Sequence, residues 1–318
     1  MNTYIGLDTS CYTTSLALVD SDRSLVLDRR TLLKVNKGSK GLRQSEGVFQ
    51  HVRNLGIFAE ELRGVKEEFN VAAVAASVKP RPLPESYMPV FTVGENFAKA
   101  AAGIAGIPFF ATTHQESHLM AGLWSAGGPQ SGRFLTVHLS GGTTELIETL
   151  RTGTDFQVRI IGGTGDISAG QFVDRVGVAM GIDFPCGQRL EEMAGKALIT
   201  GSALELSCSA KDCIVSFSGP ETHAKRLLDA GEDRHQVALA VLKCIARGLE
   251  KIISEACSRS NITEVLMVGG VSANKLICEY LRENLNCKLY FPQPHYCGDN
   301  AVGTALIAFE KLIEKKNI

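Results

Sequence analysis

Short apolar runs alternate with longer amphipathic segments along this chain, which is the pattern of strands and helices in an α/β protein. Residues 4–8 and 15–19 are predicted as two strands joined by a polar turn, and residues 71–78 form a continuous apolar run typical of a buried strand. Residues 234–258 form the longest predicted helix, whose apolar face consists of Val237, Val241, Ile245, Leu249 and Ile252. We therefore predict an α/β fold.

Two of the predicted hairpins resemble each other and indicate an internal duplication. Residues 5–16 and residues 137–146 each contain an apolar strand, a turn rich in Ser, Thr or Gly, and a returning strand. Hairpins of this kind open the two lobes of actin, of the heat-shock chaperone ATPases and of sugar kinases, where they hold ATP phosphates. We expect lobes at residues 1–112 and 113–318, with the ligand sites between them and the last helix packed on the first lobe. The alternative is that two unrelated hairpins share a common pattern.

Composition and charge exclude several classes of protein. The chain has 318 residues, of which 44% are hydrophobic, and its net charge is -1, so any nucleic-acid contact must come from a local basic patch. No apolar run reaches the roughly 18 residues of a membrane span, and the first residues do not resemble a signal peptide. The nine cysteines include no Cys-x-x-Cys pair, which favours reduced thiols over a disulfide framework. These features predict a cytoplasmic protein without membrane contact.

His114 and His118 are the first candidates for a metal site. Residues four apart lie on one face of a helix, so both imidazoles could bind one ion; surface or capping histidines are the alternative. Glu116 lies about 200° around the helix from His114. It therefore cannot serve as the base of a zinc peptidase, whose pattern is His-Glu-x-x-His. Asp299, at the start of the last predicted helix, is either its N-cap or a carboxylate ligand.

Several loops could hold the phosphates or the sugar of a nucleotide. The turn at residues 140–143 offers glycine amides and hydroxyl donors, although a hairpin that needs a positive φ would also explain its glycines. The glycine pair at residues 269–270 lies between a predicted strand and a helix, which is a common place for a phosphate. Asp174 could bind ribose hydroxyls or lie on a solvated face, and Gly187 could pack on a nucleoside or form a simple turn.

These candidates belong to eight short blocks that follow one family in order and spacing over nearly the whole chain. The blocks are residues 6–14, 114–118, 140–144, 169–175, 185–187, 215–219, 269–274 and 298–302. They resemble the tRNA threonylcarbamoyladenosine synthase family, whose members were once called O-sialoglycoprotein endopeptidases. The first block, Gly-Leu-Asp-Thr-Ser-Cys, is similar to the family's Gly-Ile-Glu-Thr-Ser-Cys.

The resemblance implies an actin-like fold, a bound metal and a bound nucleotide. It implies that the metal, zinc or iron, is held by His114, His118 and Asp299. ATP or an acyl-adenylate, with magnesium as a further ion, would be held by Ser140, Gly141, Gly142, Thr143, Asp174, Gly187, Gly270 and Asn274. The implied activity is that of a transferase and not of a peptidase. It moves a threonylcarbamoyl group from its adenylate to N6 of adenosine 37 in tRNA, with the help of partner proteins.

The chain departs from the family at positions close to the expected chemistry. Tyr12 and Thr13 replace an Asp-Glu pair, Thr143 replaces a histidine, and Glu221 replaces a lysine. A glycine-rich loop of the family is replaced by residues 79–87, which contain three prolines and two basic residues. Three functions stay open: the threonylcarbamoyl transferase, a carbamoyl or acyl transferase acting on another substrate, and a catalytically silent nucleotide-binding paralogue that serves as a subunit of a complex.

His138 is the candidate for a fourth metal ligand. It lies two residues before Ser140, where some branches of the family carry a metal-contacting tyrosine. Three histidines and one carboxylate would form a set suited to zinc or ferrous iron. The alternative is a histidine on the outer face of a strand.

A basic segment is the candidate for tRNA contact. Residues 29–43 hold six basic residues and no acidic ones, and clustered positive charge could follow a phosphate backbone. A solvated loop is the alternative.

Overall fold

The computed structural model describes residues 1–35, 42–65, 69–200 and 204–316. In these ranges the strands are β1 (Asn2–Thr9), β2 (Thr13–Asp20), β3 (Leu25–Leu32), β4 (Asn70–Lys79), β5 (Phe109–Thr113), β6 (Arg133–Leu139), β7 (Thr144–Thr152), β8 (Asp155–Thr164), β9 (Ser209–Lys211), β10 (Ile214–Ser216), β11 (Glu264–Val268) and β12 (Lys288–Tyr290). The helices are α1 (Gln44–Val65), α2 (Phe91–Ala105), α3 (His114–Ala126), α4 (Ala169–Ala179), α5 (Gly187–Thr200), α6 (Ser218–Asp229), α7 (Arg234–Ser260), α8 (Lys275–Asn284), α9 (Pro294–Cys297) and α10 (Val302–Lys316). A short 3-10 helix spans Gly270–Ala273.

Contacts within the chain divide it into two compact units. Unit 1 contains Met1–Trp124, Gly153–Phe156 and Asp299–Ile318, and unit 2 contains Ser125–Thr152 and Gln157–Gly298. Most of α3 and all of α10 therefore belong to the same unit as β1. The lobe boundary expected after residue 112 stays a prediction.

The sheet of unit 1 has the strand order β3-β2-β1-β4-β5. β1 and β2 form the predicted antiparallel hairpin, in which Leu7 pairs with Leu16, and β1 runs parallel to β4 on its other side. The middle of β4, from Ala73 to Ala76, is fully buried. Such an apolar run is expected of a parallel strand that is covered on both faces.

The sheet of unit 2 repeats this arrangement. Its order is β12-β11-β6-β7-β8-β10-β9, so the run β8-β7-β6-β11-β12 has the same order as the sheet of unit 1. The central strand of each run is antiparallel to one neighbour and parallel to the other: β1 is antiparallel to β2 and parallel to β4, and β6 is antiparallel to β7 and parallel to β11. The duplication inferred from the two hairpins is confirmed at the level of strand order.

The apolar face predicted for the longest helix is confirmed, because all five of its residues on α7 have no exposed side-chain surface. Three short elements, β9, β10 and α9, and the 12-residue helix α6 were not predicted. β9 and β10 have three residues each and α9 has four, so none shows a periodic pattern. α6 begins with Ser-Gly-Pro, which is found both in turns and at helix starts, and a side chain outside the helix holds its first residues. The Asp166 carboxylate accepts hydrogen bonds from the Phe217 and Ser218 amides at 2.8 and 3.1 Å.

α10 packs very closely against α3 and β1. A Cβ atom added at Gly303 would lie 1.9 Å from the carbonyl oxygen of Ser117, and one added at Gly6 would lie 2.3 Å from the amide nitrogen of Ala305. The hydroxyl of Thr304 donates a hydrogen bond to that of Ser117 at 2.9 Å. The two glycines thus allow backbone-to-backbone contact, and this contact sets where the chain enters α10.

The cysteine prediction is confirmed, since all nine are free thiols. Over the ranges given above, no helix combines the length and the apolar character required to cross a bilayer.

We expect Gly303→Ala to lower the free energy of unfolding by about 1–3 kcal/mol, because the new methyl group would overlap the Ser117 carbonyl and force α10 away from α3. The midpoint of denaturant unfolding measures this. Gly56→Ala on α1 is the matched control: apart from its chain neighbours and the nearby backbone of α1, no described atom lies within 4 Å of the added Cβ, and the change should stabilise the helix by about 0.5–1 kcal/mol. Equal effects of the two substitutions would contradict the close packing of α10.

Candidate metal site and nucleotide-binding loops

The two histidines of the His-x-x-x-His motif lie on the first turns of α3, and their side chains converge. The Nε2 atoms of His114 and His118 are 3.2 Å apart. The helix begins at His114 because Thr113 and Glu116 form a reciprocal cap: the Glu116 amide donates to the Thr113 hydroxyl at 3.2 Å, and the Glu116 carboxylate accepts from the Thr113 amide at 2.8 Å. Glu116 therefore has a structural role, consistent with its exclusion as a peptidase base.

Asp299 completes a cluster with the two histidines. Its Oδ1 atom lies 3.3 Å from the His118 Nε2 and 3.5 Å from the His114 Nε2. Its Oδ2 atom accepts a hydrogen bond from the hydroxyl of Ser10 at 2.6 Å. The N-cap interpretation of Asp299 is wrong, because α10 begins only at Val302 and it is Asn300 that accepts the Val302 amide, at 3.0 Å.

This cluster fits a divalent transition metal. Zinc–nitrogen and zinc–oxygen bonds of about 2.05 Å place neighbouring atoms of a tetrahedron about 3.3 Å apart, which matches the observed distances of 3.2, 3.3 and 3.5 Å. Within the described part of the chain, His114, His118 and Asp299 form the group whose ligand atoms are close enough to share an ion. Two imidazoles and one carboxylate suit zinc and iron equally.

The charges around the cluster also favour a cation. Burial alone would lower the pKa of His114, but the carboxylates of Asp8 and Asp299 raise it well above its usual range. Burial alone would raise the pKa of Asp299, but the charge of His114 and hydrogen bonds from both histidines hold it well below its usual range. The position between these side chains therefore attracts positive charge, whether a proton or a metal.

The β1–β2 hairpin supplies contacts that sequence reasoning did not assign. Asp8 is fully buried, and its Oδ2 atom lies 2.9 Å from the His114 Nδ1. His51 on α1 braces the turn: its Nε2 lies 2.9 Å from the Ser10 carbonyl oxygen and its Nδ1 lies 2.8 Å from the Thr14 hydroxyl. Burial lowers the pKa of His51, which agrees with a neutral ring that donates to the carbonyl and accepts from the hydroxyl. Asp8 and Ser10 stand in the first family block, which was the available signal.

The structure shows the surroundings of two departures from the family, the pair Tyr12–Thr13 and residues 79–87. Tyr12 is 43% exposed at the turn, whereas Thr13 is buried in β2. The proline-containing segment at residues 79–87 is tied to the start of α3, since the Pro80 carbonyl accepts from the Gln115 amide at 3.0 Å. Its own folding includes a hydrogen bond from the Arg81 amide to the Ser86 hydroxyl at 3.0 Å.

In unit 2, the second hairpin presents its glycines to open space. Gly141 and Gly142 have no positive φ, so the conformational explanation for these glycines is wrong. No atom of the described residues lies within 4 Å of a Cβ added at either position. The hairpin is fixed from behind, where the Ser168 hydroxyl donates to the Gly141 carbonyl at 2.9 Å. The turn between Ser140 and Thr143 can therefore accept an anion close to its backbone.

Asp174 and Gly187 are linked through one turn. The Asp174 carboxylate accepts a hydrogen bond from the Cys186 amide at 2.8 Å, a role that neither alternative for Asp174 included. Burial raises the pKa of Asp174. Gly187 is the first residue of α5 and is exposed. The described residues leave open space at its Cβ position.

The two glycines of the Gly-Gly-Val loop differ in role. Gly269 has a φ of 94°, and a Cβ there would lie 2.2 Å from the Leu139 carbonyl, so the backbone requires glycine. Gly270 has a negative φ and open space within the described chain. Asn274 caps α8, because its side-chain carbonyl accepts the Ile277 amide at 3.0 Å.

The candidate nucleotide residues are joined by a closed series of contacts within unit 2. Gly170, at the start of α4, lies so near the hairpin that an added Cβ would be 2.4 Å from the Ser140 carbonyl. Asp174 ties α4 to the start of α5. On α5, the Glu191 carboxylate accepts from the Lys275 amide at 2.7 Å, and the Gly269 contact leads back to β6. These contacts bring the four loops around one region.

Two further predictions can be compared with the structure only in part. His138 is buried on β6, opposite Glu145 of β7 and Val268 of β11, so the outer-face alternative is wrong; its role as a ligand stays a prediction. In the basic segment, Arg29 pairs with Glu61 and Arg30 with Asp28. Residues 36–41 lie outside the described residues.

The negative charge of Glu221, which replaces a lysine of the family, is balanced by a neighbouring positive charge. Glu221 is buried on α6 and forms an ion pair with Lys225 one turn later.

Comparison with known proteins identifies the family. The profile of the TsaD family, tRNA N6-adenosine threonylcarbamoyltransferase, matches residues 84–306, which is more than half of the chain. The chain belongs to this family. The matched range begins at residue 84, after the β1–β2 hairpin and within the proline-containing segment.

Relatives and a solved structure agree with this assignment. The tRNA N6-adenosine threonylcarbamoyltransferase of Thermus thermophilus is 28% identical over 313 residues, which cover 96% of this chain and 92% of that protein. A probable bifunctional tRNA threonylcarbamoyladenosine biosynthesis protein of Methanocaldococcus jannaschii is 27% identical; the alignment covers 98% of this chain but only 55% of the archaeal protein. Component A of the (R)-2-hydroxyglutaryl-CoA dehydratase of Acidaminococcus fermentans superposes with a TM-score of 0.58 at 17% identity, covering 98% of this chain and all of that one. The predicted actin-like fold of this TsaD-family member is confirmed.

We expect the purified protein to bind about one divalent zinc or ferrous ion, and His118→Ala to weaken that binding by more than the roughly 100-fold that loss of an outer-sphere partner can cause. Metal analysis and chelator competition measure this. His235→Ala is the control, since that histidine is 40% exposed on α7 and pairs with Asp233. Equal metal affinity in wild type and His118→Ala would contradict the site.

Proposed function

We propose that this protein is a metal- and nucleotide-binding transferase that moves a threonylcarbamoyl group from its adenylate to N6 of adenosine 37 in tRNA. The observation that carries the proposal is the convergence of His114, His118 and Asp299 in a chain that belongs to the TsaD family. The glycine loops of unit 2 support it, because Gly141, Gly142 and Gly270 leave open space at their Cβ positions among the described residues. The proposed metal is zinc or iron, and the proposed nucleotide is ATP or the acyl-adenylate, with magnesium on its phosphates.

The proposed roles follow from the local chemistry. A metal held by His114, His118 and Asp299 would supply a Lewis acid for the acyl group or the phosphate that leaves it. The amides of Gly141 and Gly142, with the hydroxyls of Ser140 and Thr143, would bind phosphate oxygens of the adenylate and stabilise the charge that develops as AMP departs.

The remaining loops of unit 2 would position the nucleoside. Asp174 would accept a hydrogen bond from a ribose hydroxyl while it holds the Cys186 amide. Gly187 and Gly270 would allow the sugar and the phosphates to approach the backbone. Asn274, which caps α8, would place the helix N-terminus toward the anion.

A related candidate is a carbamoyl or acyl transferase that acts on another substrate. Tyr12 and Thr13 favour it, since they remove two carboxylates from the first hairpin, and so does the tied segment at residues 79–87. The third candidate is a catalytically silent paralogue that binds nucleotide as a subunit of a complex. The intact His-His-Asp cluster argues against it.

Partner proteins and tRNA belong to the same proposal, as does a cytoplasmic location. On α1, Phe49, Val52 and Ile57 are each more than 50% exposed. Covering these apolar side chains with a second protein would remove them from water. Lys34 and Arg43 flank the undescribed part of the basic segment and are available for a phosphate backbone.

The test of the proposed function is transfer of labelled threonylcarbamoyl to unmodified tRNA, with the adenylate and any partner proteins supplied. We expect transfer by the wild type and a loss of at least about 100-fold in His118→Ala, with His235→Ala unaffected. Transfer from the adenylate to an acceptor other than tRNA would favour the second candidate. Nucleotide binding without transfer to any acceptor would favour the silent subunit.

His138 is proposed as a fourth metal ligand, on the basis of its position two residues before Ser140. His138→Ala should weaken metal binding about 10-fold or more, because one nitrogen donor is lost. Thr136→Val, which breaks the buried Thr136–Thr149 hydrogen bond on the same strand, controls for damage to β6. Retention of full metal affinity by His138→Ala would remove His138 from the ligand set.

A further inference from the structure

Asp8 is a charged residue in the interior of unit 1. It stands at the end of β1, opposite Ser15 of β2, and has no exposed surface. Its Oδ2 atom lies 2.9 Å from the Nδ1 atom of His114. Among the residues that the structure describes, its Oδ1 atom has no hydrogen-bond partner.

A buried carboxylate with one unpaired oxygen is unfavourable unless a nearby positive charge compensates for it. Asp8 contacts the imidazole of His114, and a cation bound to that imidazole would supply the compensating charge. An ionised carboxylate only accepts hydrogen bonds, so the hydrogen between the two side chains must be on Nδ1. A histidine that binds a metal is neutral, and with hydrogen on Nδ1 its lone pair is on Nε2, the atom that lies 3.2 Å from the His118 Nε2 and 3.5 Å from the Asp299 Oδ1.

We propose that Asp8 is a positioning residue for the metal site: it fixes the tautomer and the orientation of His114 so that Nε2 binds the metal. Histidine ligands commonly donate their second N–H to a carboxylate, which orients the ring and raises its basicity. The inference rests on the proposed metal-binding function of the His-His-Asp cluster.

The same hairpin orients the carboxylate ligand. Ser10, two residues after Asp8, donates its hydroxyl to the Asp299 Oδ2 at 2.6 Å and thereby leaves Oδ1 for the metal. The β1–β2 hairpin, which in an actin-like fold is expected to hold phosphate, thus contacts two of the proposed metal ligands, His114 and Asp299.

The test is the dissociation constant for Zn²⁺ or Co²⁺, measured on the full chain by chelator competition. We expect Asp8→Asn to weaken binding about 10–100-fold and to change the visible spectrum of the Co²⁺ form. Ser15→Ala is the matched control: Ser15 is buried opposite Asp8 and donates to its backbone carbonyl at 3.2 Å, but it contacts neither histidine. Equal affinities of wild type and Asp8→Asn, or equal losses in Asp8→Asn and Ser15→Ala, would overturn the proposal.

A measurement on the wild type covers the case in which Asp8→Asn does not fold. Long-range ¹H–¹⁵N spectra of the metal-loaded protein, with His114 assigned from its absence in His114→Gln, report which ring nitrogen carries hydrogen. We expect hydrogen on Nδ1 and metal on Nε2, and metal on Nδ1 would overturn the proposal. Failure of the wild type to bind either metal would instead remove the proposed metal-binding function itself.

Discussion

The contact between α10 and α3 is the constraint on which the candidate metal site depends. The two imidazoles come from α3 and the carboxylate comes from the residues just before α10, so their separation is set by how closely the two helices approach. Gly303 permits an approach that no side chain would allow, because the Ser117 carbonyl occupies the place of its Cβ. Gly6 does the same between β1 and α10, which brings the end of the first hairpin to the same cluster. A larger residue at either position would separate ligands that lie far apart in sequence.

Sequence patterns predict the elements of this fold well where the elements are long. The α7 face and the two hairpins follow directly from the spacing of apolar residues, whereas the order of the parallel strands beside each hairpin was seen only in the folded chain. The four-residue spacing of His114 and His118 was sufficient to place both on one helical face. Short elements such as β9 and β10 have too few residues to show a period, and their formation depends on the edge of a sheet that only the folded chain provides.

The side-chain contacts around the ligands were harder to predict, since they depend on which residues meet across the fold. Aspartate is a favoured N-cap residue, so Asp299 resembled a cap for the last helix. The helix begins three residues later, and Asn300 makes the capping contact. Asp8 and Ser10 carry no local signal of their partners, which lie more than 100 positions away. Glycines were ambiguous for the same reason. Gly269 is required by its φ and by the Leu139 carbonyl, whereas Gly141 and Gly270 are not constrained by the described chain, and nothing local in the sequence separates these cases.

Unit 1 is assembled from separate parts of the chain, and all of unit 2 precedes its last part, which begins at Asp299. During synthesis, domains form largely in the order in which they leave the ribosome. A nascent chain that has already completed the second sheet therefore carries both imidazoles but still lacks the carboxylate that closes the cluster. The proposed metal site can therefore be completed only after Asp299 has been synthesised, later than the glycine loops of unit 2.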